Sequence, residues 1–288
     1  MINQEQLREI CHLAARLRRD VIQMVGVGQT GHVGGSCSAA DIVAVLYGWK
    51  MKHDPKNPKW EERDRFVMSK GHSVIVQYAA LAETGYFPKS ELRTLKKLGS
   101  MLQGHPEFHR TPGIEATTGS LGQGLSISNG MALALRLDKK PSRVFCILGD
   151  GELAEGQVWE SAMFAPAKKI DNLVAFVDNN GIQATGAVQD RLDSYPLAEK
   201  WRAFRWHVME IDGNDAQAII AALDEAETIK GRPTAIIAHT VKGKGISFAE
   251  NNVAFHNGTL TQAQYDQALM EVNAAIAKYA PAPAKEAN

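Results

Sequence analysis

Two short segments of this chain carry the residue types that hold a cation against phosphate. Asp150 lies in Gly149-Asp-Gly151, directly after an apolar run over 143–148. Asn180 lies in Asn179-Asn-Gly181, after a second apolar run over 173–177. Both stand where buried strands finish, which is where open parallel sheets bind ligands. A carboxylate from Asp150, an amide oxygen from Asn180 and, two residues on, the Ile182 carbonyl suit a hard cation such as Mg2+. Phosphate oxygens and water complete the octahedral shell of that ion. Glycine on either side of Asp150 lets the backbone approach such a ligand closely. Either turn alone is an ordinary strand-to-loop connection. Two strand-terminal copies separated by one helical crossover point to a bound diphosphate.

Four histidines sit in glycine-bearing loops: His32 in Thr-Gly-His-Val-Gly-Gly, His72 in Ser-Lys-Gly-His, His105 in Gly-His-Pro-Glu and His256 in Phe-His-Asn-Gly. Imidazole changes its proton state near neutral pH, so such residues suit proton handling at sugar hydroxyls. None shows the i, i+4 spacing that would put two ligands on one helix, which argues against a histidine-held metal. His12, His53, His109, His207 and His239 read as surface or capping residues. Gly119-Ser-Leu-Gly-Gln-Gly124 is a glycine-rich loop opening a helix, whose free N–H groups can approach a ligand, although many such loops are structural. Lys242, in Val-Lys-Gly-Lys-Gly after a strand, can reach a phosphate as a flexible point charge.

The elements that must position these residues are legible in outline. Leu7, Ile10, Leu13 and Leu17 recur at helical spacing and predict a helix over 3–26. A glycine-rich loop over 26–35 follows, then a helix over 38–50, a short strand at Phe66-Val-Met68 and a helix from Ser73. Residues 104–124 form a long loop, of the kind that is usually functional, and a helix follows over 125–137. Strands are expected at 143–148, 173–177, 207–211 and 233–239, and a last helix at 261–279. Strands alternating with helices predict an α/β fold in three layers, a mostly parallel sheet covered by helices on both faces. One domain is expected over 1–280, with a flexible tail over 281–288.

Composition narrows the class. The 288 residues include 32 Lys+Arg and 32 Asp+Glu, a balance that gives no electrostatic case for nucleic acid or a membrane surface. No segment reaches the ~18 apolar residues that a membrane span needs. Cys11, Cys37 and Cys146 are isolated in sequence and read as reduced thiols of a cytoplasmic protein.

Taken together, TGHVGGSCSAADIVAVLY, FVMSKGHS, GHPE, TTGSLGQG, GDGELAEGQVWE, IDNLVAFVDNN and TVKGKG…FHNG resemble the N-terminal, diphosphate-binding domain of transketolases. The resemblance runs over roughly residues 5–262, and it departs at Val33, where the family usually has proline. It implies the thiamine diphosphate-binding fold, with thiamine diphosphate and Mg2+ as cofactors. It also implies Asp150, Asn180 and the Ile182 carbonyl as metal ligands, and contacts to the cofactor from His72, Gly119, Ser120, Leu121, Gly151, Asn180 and Lys242. His32 and His256 are implied to move the proton at the reacting hydroxyl, and His105 to hold the terminal hydroxyl of the ketose. Glu155 resembles the acidic residue that couples paired sites across the dimer interface.

The implied reaction moves a two-carbon ketol unit from a ketose, or ketose phosphate, to an aldose. In the family the pyrimidine-binding domain, with its activating glutamate, lies further along. The expectation is therefore a split transketolase, with this chain as the N-terminal subunit; a C-terminal subunit completes a heterotetramer. Two alternatives are another ketol transfer with a different acceptor, and a non-catalytic regulatory subunit of the same fold.

Overall fold

A computed structural model describes residues 2–281. The first part of the chain runs α1 (Gln4–Val25), α2 (Val33–Ser38), α3 (Ala40–Val45), β1 (Arg65–Met68), α4 (Val74–Thr84) and α5 (Gln123–Leu137). Then come β2 (Val144–Gly149), α6 (Gly156–Ala167), β3 (Leu173–Asn179), β4 (Ile182–Gln183), β5 (Gly186–Ala187), α7 (Val188–Arg191) and α8 (Leu197–Ala203). The last elements are β6 (His207–Asp212), α9 (Ala216–Thr228), β7 (Thr234–His239) and α10 (Gln262–Tyr279).

Five strands form one parallel sheet in the order β1-β2-β3-β7-β6. Alternate residues of a strand face opposite sides, and here both sides are apolar. Phe66, Met68, Phe145, Ile147, Val174, Phe176 and Ile236 join a core with α1, α3, α4, α9 and α10. Val67, Cys146, Leu148, Ala175, Val177 and Ile237 join another with α5, α6 and α8. The layered α/β expectation holds, for the reason that made these strands read as continuous apolar runs.

Helix α1 begins with a reciprocal cap: the Gln6 N–H donates to the Asn3 side chain at 2.8 Å, and the Asn3 N–H donates to the Gln6 side chain at 3.0 Å. Its buried stripe includes Ile10, Leu13 and Leu17. Two expectations need correction. The loop expected over 26–35 ends at His32, because Val33, Gly34 and Gly35 are buried and already helical. The helix expected over 38–50 breaks at Ala39 and widens over Leu46–Lys50, where the Met51 N–H reaches back to the Leu46 carbonyl. Gly48 in this stretch packs closely on α1, where a Cβ would lie 2.9 Å from a Leu13 methyl. The β4–β5 hairpin and the short helices α7 and α8 carry too few residues for periodicity to reveal them. No described helix is long and apolar enough to cross a membrane. All three cysteines are free thiols, Cys37 and Cys146 fully buried and Cys11 partly exposed. Of the tail expected over 281–288, all but Pro281 lies outside the described residues.

Candidate functional site

The carboxyl ends of β1, β2, β3 and β7 lead into Lys70, Asp150, Asn180 and Lys242, and these four residues line one cavity of about 310 Å³. That is the edge where the sheet's connections leave a crevice. Loop contacts bring the histidines to it. Gly31 and Gly258 exchange two backbone hydrogen bonds at 3.0 and 3.2 Å, which sets His32 beside His256. Only glycine fits at position 31, where a Cβ would come within 2.4 Å of Val25. His72 lies in a tight turn directly after β1, and a Cβ on the neighbouring Gly71 would strike the Thr118 backbone at 2.7 Å.

The three rings form a triangle, with centroids 4.8 Å apart for His32–His72, 5.4 Å for His32–His256 and 5.2 Å for His72–His256. Burial, followed by neighbouring positive charge, lowers all three pKa values: His32 to about 4, His72 to about 2 and His256 to about 3. They are therefore neutral at pH 7, which leaves each one lone-pair nitrogen and one N–H. The Lys242 ammonium, brought down to about 8 by burial and by Lys70, donates to His256 Nδ1 at 2.9 Å. With lysine as donor, neutral His256 carries its own proton on Nε2.

Asp150 is buried and accepts the Gly151 and Gly181 N–H groups at 2.7 and 2.5 Å. Burial, and then the nearby Asp178 charge, push its pKa up to about 6. A buried carboxyl without a bonded cationic side chain is the donor a divalent cation would complete. The Asn180 side chain donates to Asp178 at 3.2 Å and accepts the Ile182 N–H at 3.2 Å. Lys242 Nζ donates to the Ile182 carbonyl at 2.6 Å, so that carbonyl faces a positive group at the cavity wall. Among the described residues, no three His, Cys, Asp or Glu side chains are grouped to hold a metal. A set of one carboxylate, one amide and one carbonyl needs no such group. A Cβ on Gly151 would lie 2.9 Å from the Gln183 side chain, so glycine lets the two cavity walls meet there. These residues fit a diphosphate bound through a divalent cation.

The remaining expected residues fall around this centre. Leu121 and Gly151 line the cavity. Gly119 packs on the His105 ring, where its Cβ would lie 2.9 Å from Cδ2, and neither residue lines the cavity. Ser120 and Glu155 are exposed and do not line the cavity; Glu155 directly precedes α6, with no side-chain bond to its first turn. Four charged residues escaped the sequence reading. Lys70 pairs with Asp178 under the cavity. Buried Glu152 accepts from Ser69 Oγ at 2.5 Å, the Gly122 N–H at 2.9 Å and the Gly149 N–H at 3.0 Å, tying three loops together. Lys96 donates to the Thr30 carbonyl at 2.7 Å, and its charge helps lower both His32 and His105. Asp178 carried a signal, since a carboxylate closing a buried strand must find a partner.

Residues 11–275 match the family described as transketolase, thiamine diphosphate binding domain. A protein named as a subunit of 6-deoxy-6-sulfo-D-fructose transketolase, from a Clostridium species, is 47% identical over 93% of this chain and 98% of its own length. A protein of Phocaeicola vulgatus, named as a subunit of apulose-4-phosphate transketolase, is 38% identical over 91% of this chain and 92% of its own. Among solved structures, the transketolase of Campylobacter jejuni superposes with a TM-score of 0.85 at 30% identity, over 96% of this chain and 46% of that one.

Proposed function

We infer the activity from a settled premise: this chain belongs to the transketolase family, as its thiamine diphosphate-binding domain. It acts as the N-terminal subunit of a split transketolase that moves a two-carbon ketol unit from a ketose, or ketose phosphate, to an aldose. The observation that carries this reading is the triangle of neutral histidines beside a cavity holding Asp150, Asn180 and Lys242. The subunit reading is supported by similarity over nearly the full length of two proteins named as transketolase subunits. A C-terminal subunit would supply the pyrimidine-binding half, in a heterotetramer. Its home is the cytoplasm, where free Cys11, Cys37 and Cys146 stay reduced.

Asp150, Asn180 and the Ile182 carbonyl hold Mg2+, and Lys242 and Gly151 meet the diphosphate. When bound, thiamine diphosphate supplies the electron sink that lets a bond beside a carbonyl break. The protein's part is position and proton handling. His32, neutral at pH 7, takes a proton from the donor's hydroxyl and returns it to the product. His256, whose Nδ1 is occupied by Lys242, assists as a donor through Nε2–H. His72 closes the third side of that pocket, His105 holds the terminal hydroxyl of the ketose, and Glu155 links two sites across an interface. The test is ketol transfer from a ketose phosphate to an aldose, with thiamine diphosphate and Mg2+, by this chain mixed with the C-terminal subunit. Transfer is expected only from the mixture, and its removal by a chelator is expected to be reversed by added Mg2+. Full-rate transfer by this chain alone would sink the split-subunit reading, and an inactive, cofactor-loaded mixture would sink the transketolase reading.

A further inference from the structure

Asp178 is fully buried at the end of β3, and four donors converge on its carboxylate. Lys70 Nζ and Thr240 Oγ1 bond to it, Ser38 Oγ donates at 2.6 Å and Asn180 Nδ2 at 3.2 Å. Each donor adjoins a residue of the site in sequence. Lys70 is two residues before His72, and Thr240 is two before Lys242. Ser38 ends α2, the helix that His32 begins, and Asn180 is itself a proposed metal ligand. Lys70, only 2% exposed, also donates to the Gly35 carbonyl at 2.7 Å, which fixes α2 from a second point. An ionised carboxylate only accepts hydrogen bonds, so the Asn180 amide must turn its nitrogen toward Asp178. Its oxygen is thereby left on the side of Ile182.

A buried ion pair adds little net stability, because desolvation offsets most of its attraction. What it does fix is geometry. We propose that Asp178 is a positioning residue of this site, one that orients the Asn180 amide for the cation and holds the segments bearing His32, His72 and Lys242 in register, with Lys70 as its counter-charge. This rests on the reading of the cavity as a Mg2+–diphosphate site.

The test is the double variant Lys70→Met/Asp178→Asn, which removes both charges together and leaves neither buried alone. The full chain with its C-terminal subunit is titrated with Mg2+ at fixed thiamine diphosphate, binding being followed by calorimetry, and thermal melting is recorded alongside. The half-saturating Mg2+ concentration is expected to rise at least tenfold. A purely structural role would lower the melting temperature without moving that concentration. Leu223→Ala in α9, buried away from the cavity, supplies this control: it melts earlier and keeps the wild-type Mg2+ requirement. A folded double variant with a Mg2+ requirement within twofold of wild type overturns the proposal. If the double variant does not fold, Thr240→Val removes one donor only; a two- to threefold rise supports the proposal and no change overturns it. Wild-type protein that binds no Mg2+–thiamine diphosphate overturns the reading of the cavity, and this inference with it.

Discussion

Buried charge gathers at both ends of the parallel sheet, yet the two ends do opposite things with it. At the amino ends of β1 and β2, the Asp64 carboxylate accepts the Lys52 N–H at 2.8 Å and the Arg143 N–H at 2.7 Å. Arg63 meets Glu115 through two bonds of 2.7 Å, and Arg143 donates to the Ala226 carbonyl at 3.0 Å. These groups close loops onto the sheet, and none of them lines the cavity described above. At the carboxyl ends, Lys70 and Asp178 neutralise one another, while Asp150 keeps only backbone donors and faces the cavity beside three neutral imidazoles. Burial of an ionisable group is therefore a poor mark of function by itself. The mark is a buried group whose partners leave its charge uncompensated, opening onto space with proton acceptors at hand.

Substitutions at the two ends should separate binding and chemistry from stability. The largest effect is expected for Asp150→Ala, since the proposed cation site would lose its only carboxylate. Affinity for thiamine diphosphate in the presence of Mg2+ should fall by about 3–5 kcal/mol, the range for stripping one partner from a buried charge. Calorimetry reads this directly, and unchanged affinity would remove Asp150 from the metal site. His32→Ala comes next. Its kcat for ketol transfer should drop on the order of a hundredfold, the lower range for losing a positioned acid–base group. Cofactor affinity should stay within a few-fold of wild type. If affinity rather than kcat collapses, the imidazole holds the cofactor and does not move the proton.

Sequence alone showed much of the carboxyl end and little of the amino end, for a physical reason. Asp150 and Asn180 stood out because their strands are unbroken apolar runs that end abruptly in glycine and a polar side chain. The α1 stripe was equally legible, being a local repeat. Pairings between distant segments have no local signature: nothing near Lys70 names Asp178, and nothing near Arg63 names Glu115. The early helix at Val33 stayed hidden because its burial comes from long-range packing, against Phe255 and Lys242 among others. The exposure of Ser120 and Glu155 is likewise a tertiary fact, set by how the loop before α5 meets the start of α6.

Arg63→Met tests the amino end from the other side. It leaves the nearly buried Glu115 with only the longer 3.6 Å contact to the Arg65 guanidinium, and loss of the charge-assisted fork should cost about 2 kcal/mol of folding stability. Urea unfolding measures this. In the protein that remains folded, cofactor affinity and kcat should match wild type. A kinetic defect in the folded fraction would mean that the two ends are mechanically coupled and that the contrast between them fails.

The smallest effect, and the sharpest sign, belongs to Asp64→Asn. In acid the protonated native carboxyl can turn its O–H aside and still accept from the N–H groups of both Lys52 and Arg143, whereas the amide sets an NH2 against one of them, at a cost of about 1 kcal/mol. The pH dependence follows from the native carboxyl. Burial raises its pKa above the ordinary 3.8, and the two N–H bonds and nearby cations oppose that rise without cancelling it. The folded protein thus holds this proton more tightly than the unfolded chain. The group's stabilising contribution is full below 3.8 and declines as pH rises through the folded pKa. Asparagine has no such titration, so the stability gap between wild type and variant should be widest in acid and narrow toward neutral pH. Urea unfolding of both proteins across that range measures the gap. A gap that widens with pH would mean that Asp64 is held ionised, with its N–H donors outweighing burial. The amino end would then hold a carboxylate ionised with two backbone donors, where the same number of donors at the carboxyl end leaves the Asp150 pKa raised.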